Sequence, residues 1–339
     1  MKLKSFRKFA TFALVSAAAI SVQAATTDPL GGIVIPINGE SDTRISVPFS
    51  RAVAFEGKVN SISSNVVTAL GSPDWADGRF VYGDVDSSNP ANTYYLVFLS
   101  GALEGAYFEI TASGSDTVTL DLDGGSLATV QTEVADGAGL GDIFQIIPYW
   151  TPATLFAGST IPDGIELLLY NNSAIGAFKQ PTVLTYFEGF GWFNSGSPAD
   201  DTLLELGQGI LVRTPPMSAS FNMTVSGAVP MFQNRQVLAS DTNTNDLHYG
   251  VYSPIDTTLA NSGLAVVDGI ELLAYNNDAT GYFKQPTVYT YFEGFGWFNS
   301  GTPADSTELR AGDAYIIRKP ATGGALDSQD WVYLPTYLQ

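Results

Sequence analysis

Cysteine is absent from this chain of 339 residues, and histidine occurs once, at His248. The absence of cysteine excludes a disulfide framework, a lipid anchor attached through cysteine, and the thiolate ligands of structural zinc sites. Basic residues are also scarce, with 15 Lys and Arg against 34 Asp and Glu, so the formal net charge is −19. Because binding to nucleic acid depends on basic side chains that contact the phosphates, we exclude nucleic acid as a partner.

Long hydrophobic runs are missing too, so we predict no membrane span. The apolar run Phe9–Ile20 has about 12 residues, whereas a transmembrane helix needs about 20. Four basic residues precede this run, and Val22–Ala24 follows with small residues at the cleavage positions, which predicts a signal peptide over residues 1–24. Its removal leaves 11 basic against 34 acidic residues. We expect a secreted protein, extracellular or at the cell surface, with the periplasm as the alternative location.

The composition favours β structure. Only 14% of the residues are charged, whereas 12% are aromatic and 34 are glycine, a balance typical of short strands joined by tight turns. Apolar residues alternate over short segments bounded by Gly, Asn and Pro, and no long segment shows the period of a helix. We therefore predict an all-β fold, with one short helical turn at Thr151–Phe156.

An internal duplication is the strongest pattern in the sequence. Residues 163–215 align without a gap on residues 268–320 at an offset of about 105, and about 37 of the 53 positions are identical. The predicted fold is two repeated β-sandwich or β-sheet units with a small β-barrel-like domain inserted in the first. The predicted limits are 25–54 plus 148–230 for the first unit, 55–147 for the insert and 231–339 for the second unit.

Each copy contains a predicted β-hairpin, Thr182–Ser195 in the first repeat. Strand alternation places Val183, Thr185 and Phe187 on one face, and these residues are unchanged in the second copy. The other face carries Leu184, which becomes Tyr289. We interpret the unchanged face as the core face and the varying face as the solvent face.

Several segments resemble a known protein family. They are Ile146–Phe156, Gly209–Arg213, Thr224–Pro230 and, in the insert, Ser100–Phe108. The chain is similar to a family of secreted, cysteine-poor, β-rich bacterial proteins of unassigned function, which often occur as several paralogues in one genome. The resemblance covers nearly the whole mature chain. It implies secretion and a β-rich fold, and it transfers no functional residues.

Catalytic residues are not evident. His248 is the only histidine, and no Gly-x-Ser-x-Gly segment is present. The best carboxylate pair for glycoside hydrolysis is Glu166 with Glu188, which recurs as Glu271 with Glu293. A close duplication that copies both carboxylates favours a scaffold or a repeated binding surface, so we predict that the protein is not an enzyme.

We predict no cofactor, and calcium is the only metal with partial support. Asp241, Asn243 and Asn245 have the spacing of the start of a calcium loop, but the loop's glycine and glutamate are missing. Two shorter acidic turns, at residues 84–86 and 121–125, are equally incomplete. We interpret all three segments as turns.

The repeated aromatic hairpins are the candidate contact surface. The set comprises Tyr186, Trp192 and Asn194 in the first copy and Tyr291, Trp297 and Asn299 in the second. We predict a non-enzymatic structural protein of the cell surface or extracellular matrix that assembles with itself into fibres or a layer. The alternative is a carbohydrate-binding protein that uses these hairpins, with polysaccharide as partner, and a third hypothesis is a polysaccharide hydrolase. For Asp28–Ile37 we favour an ordinary first strand, with a donor strand for assembly as the alternative.

Overall fold

A computed structural model describes residues 29–82, 92–137 and 139–339. The predicted signal peptide and the acidic turn at residues 84–86 lie outside the described residues. Within the described parts of the chain, the structure contains no helix long and apolar enough to cross a membrane.

The fold is almost entirely β structure. In the first part of the chain the strands are β1 (Leu30–Ile37), β2 (Asp42–Ile45), β3 (Phe55–Ser63), β4 (Val66–Ala69), β5 (Tyr94–Phe98), β6 (Tyr107–Ser113), β7 (Thr117–Leu120), β8 (Ile143–Pro148), β9 (Glu166–Leu169), β10 (Thr182–Phe187), β11 (Gly191–Asn194), β12 (Ser197–Pro198), β13 (Ile210–Arg213) and β14 (Phe221–Ala228). The remainder are β15 (Asn234–Ser240), β16 (Asn245–Gly250), β17 (Thr257–Thr258), β18 (Glu271–Ala274), β19 (Thr287–Phe292), β20 (Gly296–Asn299), β21 (Thr302–Pro303), β22 (Glu308–Leu309), β23 (Ala314–Lys319) and β24 (Asp327–Tyr333).

In the described residues, helical structure is confined to four short segments. Two are α-helices, α1 (Glu133–Asp136) and α2 (Pro152–Leu155), and two are 3₁₀ turns at Leu259–Asn261 and Thr336–Leu338. Thr151 caps α2, because its side chain accepts a hydrogen bond from the Thr154 N–H and Thr154 bonds back to the Thr151 N–H. The predicted helical turn at Thr151–Phe156 is confirmed.

The two repeats form equivalent six-stranded antiparallel sheets. The strand order is β12-β11-β10-β9-β13-β2 in the first repeat and β21-β20-β19-β18-β23-β16 in the second. Each sheet is covered on one side by a two-stranded ribbon, β1–β14 in the first repeat and β15–β24 in the second. Apolar side chains from the ribbon and from the facing sheet fill each core, so each repeat is a small β-sandwich.

Strand β1 is paired with another strand of the same chain. It pairs with β14 over its full length, from Leu30 opposite Ala228 to Ile37 opposite Phe221, and both Ile35 and Ile37 lie in the first core. The favoured interpretation is confirmed for residues 30–37, which are the ordinary first strand of the sandwich, and the donor-strand alternative for Asp28–Ile37 is wrong. Removing this strand would expose the apolar core of the repeat.

A closed six-stranded barrel, in the order β3-β4-β7-β6-β5-β8, lies between β2 and β9 in the chain. It has a separate core that includes Trp75, Phe80 and Phe144. Another cluster joins the outside of the barrel to the repeats, with Tyr95 and Tyr149 from the barrel side packed near Leu206 and Tyr252. The all-β prediction, with two repeated sheet units and an inserted barrel, is confirmed.

The assignment of the hairpin faces is wrong. Leu184 is fully buried, whereas Val183 and Phe187 are exposed, so the face that varies between the copies is the core face. Both faces of β10 are rich in apolar residues, so alternation shows which side chains share a face but not which face points inward. The core side is set by contacts across the sandwich, where Leu184 packs in one cluster with Leu167 of β9 and Met223 of the ribbon.

Candidate functional site

Trp192 and Trp297 belong to the two cores. Their exposed fractions are 2% and 1%, and each ring packs against the tyrosine opposite it in the hairpin, Tyr186 or Tyr291, with ring centroids 5.4 Å and 5.6 Å apart. These tryptophans cannot stack on an external ligand, because the side chains around them already fill that volume. The hypothesis of a contact surface built on the tryptophans is therefore corrected.

The other members of the predicted set lie at the edge of the cores. Tyr186 and Tyr291 are half-buried against the cores. Asn194 is exposed, and the half-buried Asn299 donates from Nδ2 to the carbonyl of Val288 at 3.1 Å. Of the six predicted residues, Asn194 is the one whose side chain faces solvent.

The exposed aromatic residues of the hairpins are phenylalanines on the side opposite the tryptophans. In the first repeat, Phe187 is 45% exposed and packs against Phe193 at 5.7 Å, and Phe190 at the hairpin turn is 78% exposed. We name Val183, Thr185, Phe187, Phe190 and Phe193 the first outer hairpin face. Its counterpart in the second repeat, named the second outer hairpin face, is Val288, Thr290, Phe292, Phe295 and Phe298.

The two repeats are joined by reciprocal contacts that we name the inter-repeat clasp. It consists of the loops 171–178 and 276–283, with strands β2 and β16. On one side, Asn172 donates from Nδ2 to the His248 carbonyl at 2.9 Å and accepts from the His248 N–H at 2.8 Å. The Asp246 N–H donates to the Gly176 carbonyl at 3.1 Å. Loop 171–178 of the first repeat thereby hydrogen-bonds to the backbone of the edge strand β16, as a neighbouring strand would.

The opposite side of the clasp repeats the same bonds with the roles of the repeats exchanged. Asn277 donates from Nδ2 to the Arg44 carbonyl at 2.8 Å and accepts from the Arg44 N–H at 2.9 Å. The Asp42 N–H donates to the Gly281 carbonyl at 3.1 Å. The two repeats therefore meet as the subunits of a two-fold symmetric dimer do, with the same surface on both sides of the contact.

A partly buried ion pair holds each side of the clasp. Arg213 donates two hydrogen bonds to Asp42, at 2.7 Å and 3.0 Å, and Asp42 Oδ2 also accepts from the Phe283 N–H of the second repeat at 3.0 Å. The equivalent pair, Arg318 with Asp246, has distances of 2.7 Å and 3.1 Å. Bidentate pairs of this kind fix geometry as well as charge. Each aspartate thus joins its own sheet to a loop of the other repeat.

His248 and Arg44 occupy equivalent positions and meet between the repeats. The His248 ring stacks on Tyr170 of the first repeat at 3.7 Å and an interplanar angle of 5°, and Arg44 lies over Tyr275 of the second repeat at 4.1 Å. Arg44 Nη1 lies 3.3 Å from His248 Nδ1 and donates to it. Burial lowers the pKa of His248 well below its ordinary value, and the charges of Arg44 and Lys179 lower it further. The imidazole is therefore neutral and serves as an acceptor.

Backbone contacts complete the clasp. The Ser46 N–H donates to the Gly312 carbonyl at 2.8 Å, and in the equivalent place the Gly250 N–H donates to the Gly207 carbonyl at 2.8 Å. Gly250 packs against the Ser46 side chain so closely that a Cβ at this position would overlap it. Glycine is needed here because the two repeats approach each other through this backbone.

The carboxylates proposed for hydrolysis do not form a closed site. Glu166 is paired in register with Thr185, three residues before Glu188, so the two backbones are about 10 Å apart along the strand. Glu188 is exposed at the hairpin turn, where its N–H donates to Asp163 at 2.8 Å. The second pair is placed in the same way, with Glu271 in β18 opposite Thr290 and Glu293 after β19.

Two of the three partial calcium motifs lie in the described residues, and both are hydrogen-bonded turns. Asp241 Oδ1 accepts from the Asn243 N–H at 2.7 Å, and Asn245 donates to the Ala239 carbonyl at 2.7 Å. Asp121 likewise accepts from the backbone two residues later, beside a shallow open depression of about 460 Å³. In the described ranges, no group of three or more His, Asp or Glu side chains is placed to hold a metal ion.

Sequence reasoning missed the clasp, although signals for it exist. Asn172 recurs as Asn277 and Arg213 recurs as Arg318 at the repeat offset. The weakly similar segments 42–50 and 245–253 supply the two aspartates. These residues are far apart in the chain, so only the fold shows that they meet.

The chain matches no protein-family model and no curated protein. One solved structure to which it shows some likeness is titled as the atomic structure of Sulfolobus turreted icosahedral virus. The sequence identity is 11%, the match covers 90% of this chain and 82% of that chain, and the TM-score is 0.18. A TM-score this low indicates no shared fold, so the likeness carries no argument about fold or function. The resemblance to a family of secreted β-rich proteins stays a prediction.

Proposed function

We propose that this chain is a secreted, non-enzymatic structural protein of the cell surface or extracellular matrix that assembles with copies of itself. One observation carries the proposal. The clasped repeats present two copies of the same exposed phenylalanine-bearing face, identical at all five positions, whereas the buried position Leu184 differs from its counterpart Tyr289. Contiguous exposed apolar residues mark interaction sites on protein surfaces, so their presence in both copies supports a role in contact.

The rest of the molecule suits a rigid building block. The clasp joins the repeats through the paired asparagines and through the N–H groups that Asp42 and Asp246 accept from the opposite loop, and the barrel packs on both repeats through the cluster around Tyr95 and Tyr252. A body with two equivalent outward surfaces in fixed orientation can form extended assemblies, because each added copy leaves one surface free. The acidic charge keeps the separate copies soluble.

Electron microscopy of residues 25–339, together with sedimentation velocity over a range of protein concentrations, tests this proposal. We expect concentration-dependent filaments or sheets. The experiment is run with added calcium and then with chelator, which shows whether assembly depends on cations bound by the acidic surface. A protein that stays a single monomeric species at all concentrations in both conditions contradicts the proposal.

A second candidate function is binding to polysaccharide. It is favoured by the exposure of Phe190 and Phe295, both 78% exposed, and by the solvent-facing Asn194 at the other end of β11. Aromatic rings stack on the apolar faces of sugars, and amides bond their hydroxyls. Affinity electrophoresis through gels that contain soluble polysaccharides tests this candidate. Retardation that disappears in a variant with Phe190→Ala and Phe295→Ala supports it, and unchanged mobility in every polysaccharide contradicts it.

A further inference from the structure

The outer hairpin faces lie on the sides of the two sheets opposite Trp192 and Trp297. In the first repeat, Phe193, Thr185, Glu166, Arg213 and Asp42 follow one another across the sheet in direct register. Neighbouring strands are about 4.8 Å apart, so this row spans roughly 20 Å. Apolar side chains occupy the hairpin end of the row, and the ion pair of the clasp occupies the other end.

Each face is completed by the opposite repeat. The ring of Phe283, from the second repeat, lies 4.9 Å from the Arg213 guanidinium in the first sheet, and Phe178 lies 5.4 Å from the Arg318 guanidinium in the second. These two phenylalanines are 79% and 82% exposed. Both adopt a left-handed backbone conformation, with φ of 51° and 54°. A bulky residue rarely adopts this conformation, and such strain is retained where function requires it.

Each face therefore carries exposed apolar residues at both ends, at the hairpin and at the clasp, with Glu166 and Thr185 between them. The clasp already shows that this side of the sheet forms a two-fold symmetric contact, since loop 276–283 lies on the first sheet and loop 171–178 lies on the second. Hydrophobic residues bordered by charged and polar side chains are the usual anatomy of a protein–protein interface. The row carries two carboxylates, Asp42 and Glu166, and one guanidinium, Arg213, so each face has a net charge of −1 and two copies meet against a small repulsion that salt screens.

We propose that each outer hairpin face, together with the phenylalanine supplied by the opposite repeat, binds the same kind of face on a second copy of this chain. The proposal rests on the self-assembly proposed above and identifies its contact surface. The proposal also determines how many other copies each chain can bind. A protein with one such face stops at a dimer, whereas the duplication gives each chain two faces and allows a linear polymer.

The area of one face sets the strength of one contact. A phenylalanine side chain offers about 200 Å², so the exposed fractions of Phe187, Phe190 and Phe283 with Val183 give roughly 400–500 Å² of apolar surface per face. Two faces in contact would bury about 800–1,000 Å² of apolar area, near the lower limit of about 1,000 Å² for a specific interface. We therefore expect single contacts to be weak and assembly to depend steeply on protein concentration.

Aspartate substitutions at the hairpin tips test the surface. Phe190→Asp disables the first face and Phe295→Asp the second, and because both side chains are 78% exposed, the fold is expected to tolerate either change. Leu326→Asp is the matched control, since Leu326 is an exposed apolar residue, 66% exposed, away from both faces. Near-ultraviolet circular dichroism and the thermal transition of each variant verify that it is folded.

Sedimentation velocity then measures the oligomer size of each variant, which shows how many contact faces a chain uses. We expect wild type and Leu326→Asp to form a concentration-dependent series of oligomers, each single-face variant to stop at dimers, and the Phe190→Asp/Phe295→Asp variant to remain monomeric. If wild type assembles and the double variant assembles equally, the contact surface proposed here is wrong, while the proposed function stands. A wild type that stays monomeric refutes both. If that monomer instead binds polysaccharide through Phe190 and Phe295, the surface serves a carbohydrate and the self-contact is refuted.

Discussion

Replacing Asp42 by alanine removes the carboxylate that joins the first sheet to loop 276–283 in the inter-repeat clasp. The carboxylate accepts two hydrogen bonds from Arg213 and one from the Phe283 N–H, and its side chain is 8% exposed. Removing one partner of a buried ion pair costs about 3–5 kcal/mol, because the remaining charge stays buried without compensation. The Arg213 side chain is one-quarter exposed, so water can solvate part of its charge, which places the expected loss near the lower end, about 3 kcal/mol.

Guanidinium unfolding followed by tryptophan fluorescence and by circular dichroism measures this loss. The matched control is Asp278→Ala, which removes the exposed ion pair with Arg310 at 3.2 Å, and exposed pairs contribute only about 0–1 kcal/mol. Hydrogen exchange adds a local readout: in the Asp42→Ala variant, the Phe283 amide loses its acceptor and should exchange faster. The double variant Asp42→Ala/Arg213→Ala is expected to lose less than the sum of the single changes, because it leaves no unpaired charge.

The reasoning fails if Asp42→Ala costs no more than Asp278→Ala. It also fails if the Phe283 amide keeps its protection in the variant, since the aspartate would then not connect the two repeats. The equivalent change Asp246→Ala in the second repeat provides an internal replicate, with nearly the same bond lengths to Arg318.

Three further predictions concern the core, the contact between the repeats and pH. Trp192→Ala should cost about 3–5 kcal/mol in chemical unfolding, because it empties a filled core position; a loss under 1 kcal/mol would contradict the buried placement. Gly250→Ala should lower the melting temperature by forcing the new methyl group against Ser46, whereas Gly324→Ala, where the space is open, should leave it nearly unchanged. The pKa of His248 is lower in the folded than in the unfolded protein, so below pH 6.5 the unfolded chain binds more protons than the folded one. The free energy of unfolding should therefore fall as the pH decreases through this range. The His248→Asn variant should lack this contribution to the pH dependence.

The candidate site was only partly predictable. Sequence alternation correctly grouped Val183, Thr185 and Phe187 on one side of the hairpin, but it assigned that side to the core. The tryptophans were predicted as contact residues because aromatic side chains suit both cores and interfaces. Burial separates these two roles, and burial depends on which ribbon packs over which side of the sheet.

The sequence by itself determined the all-β class, the duplication, the hairpins and the short turn at α2, because these depend on residue composition, on alternation and on turn residues close together in the chain. Only the tertiary structure decided that Trp192 and Trp297 are core, that the phenylalanines are exposed, and that Asp42, Arg213 and Phe283 meet. The reason is physical: local patterns fix the relative orientation of neighbouring side chains, whereas burial and pairing between residues more than 100 positions apart arise only when separate sheets pack together.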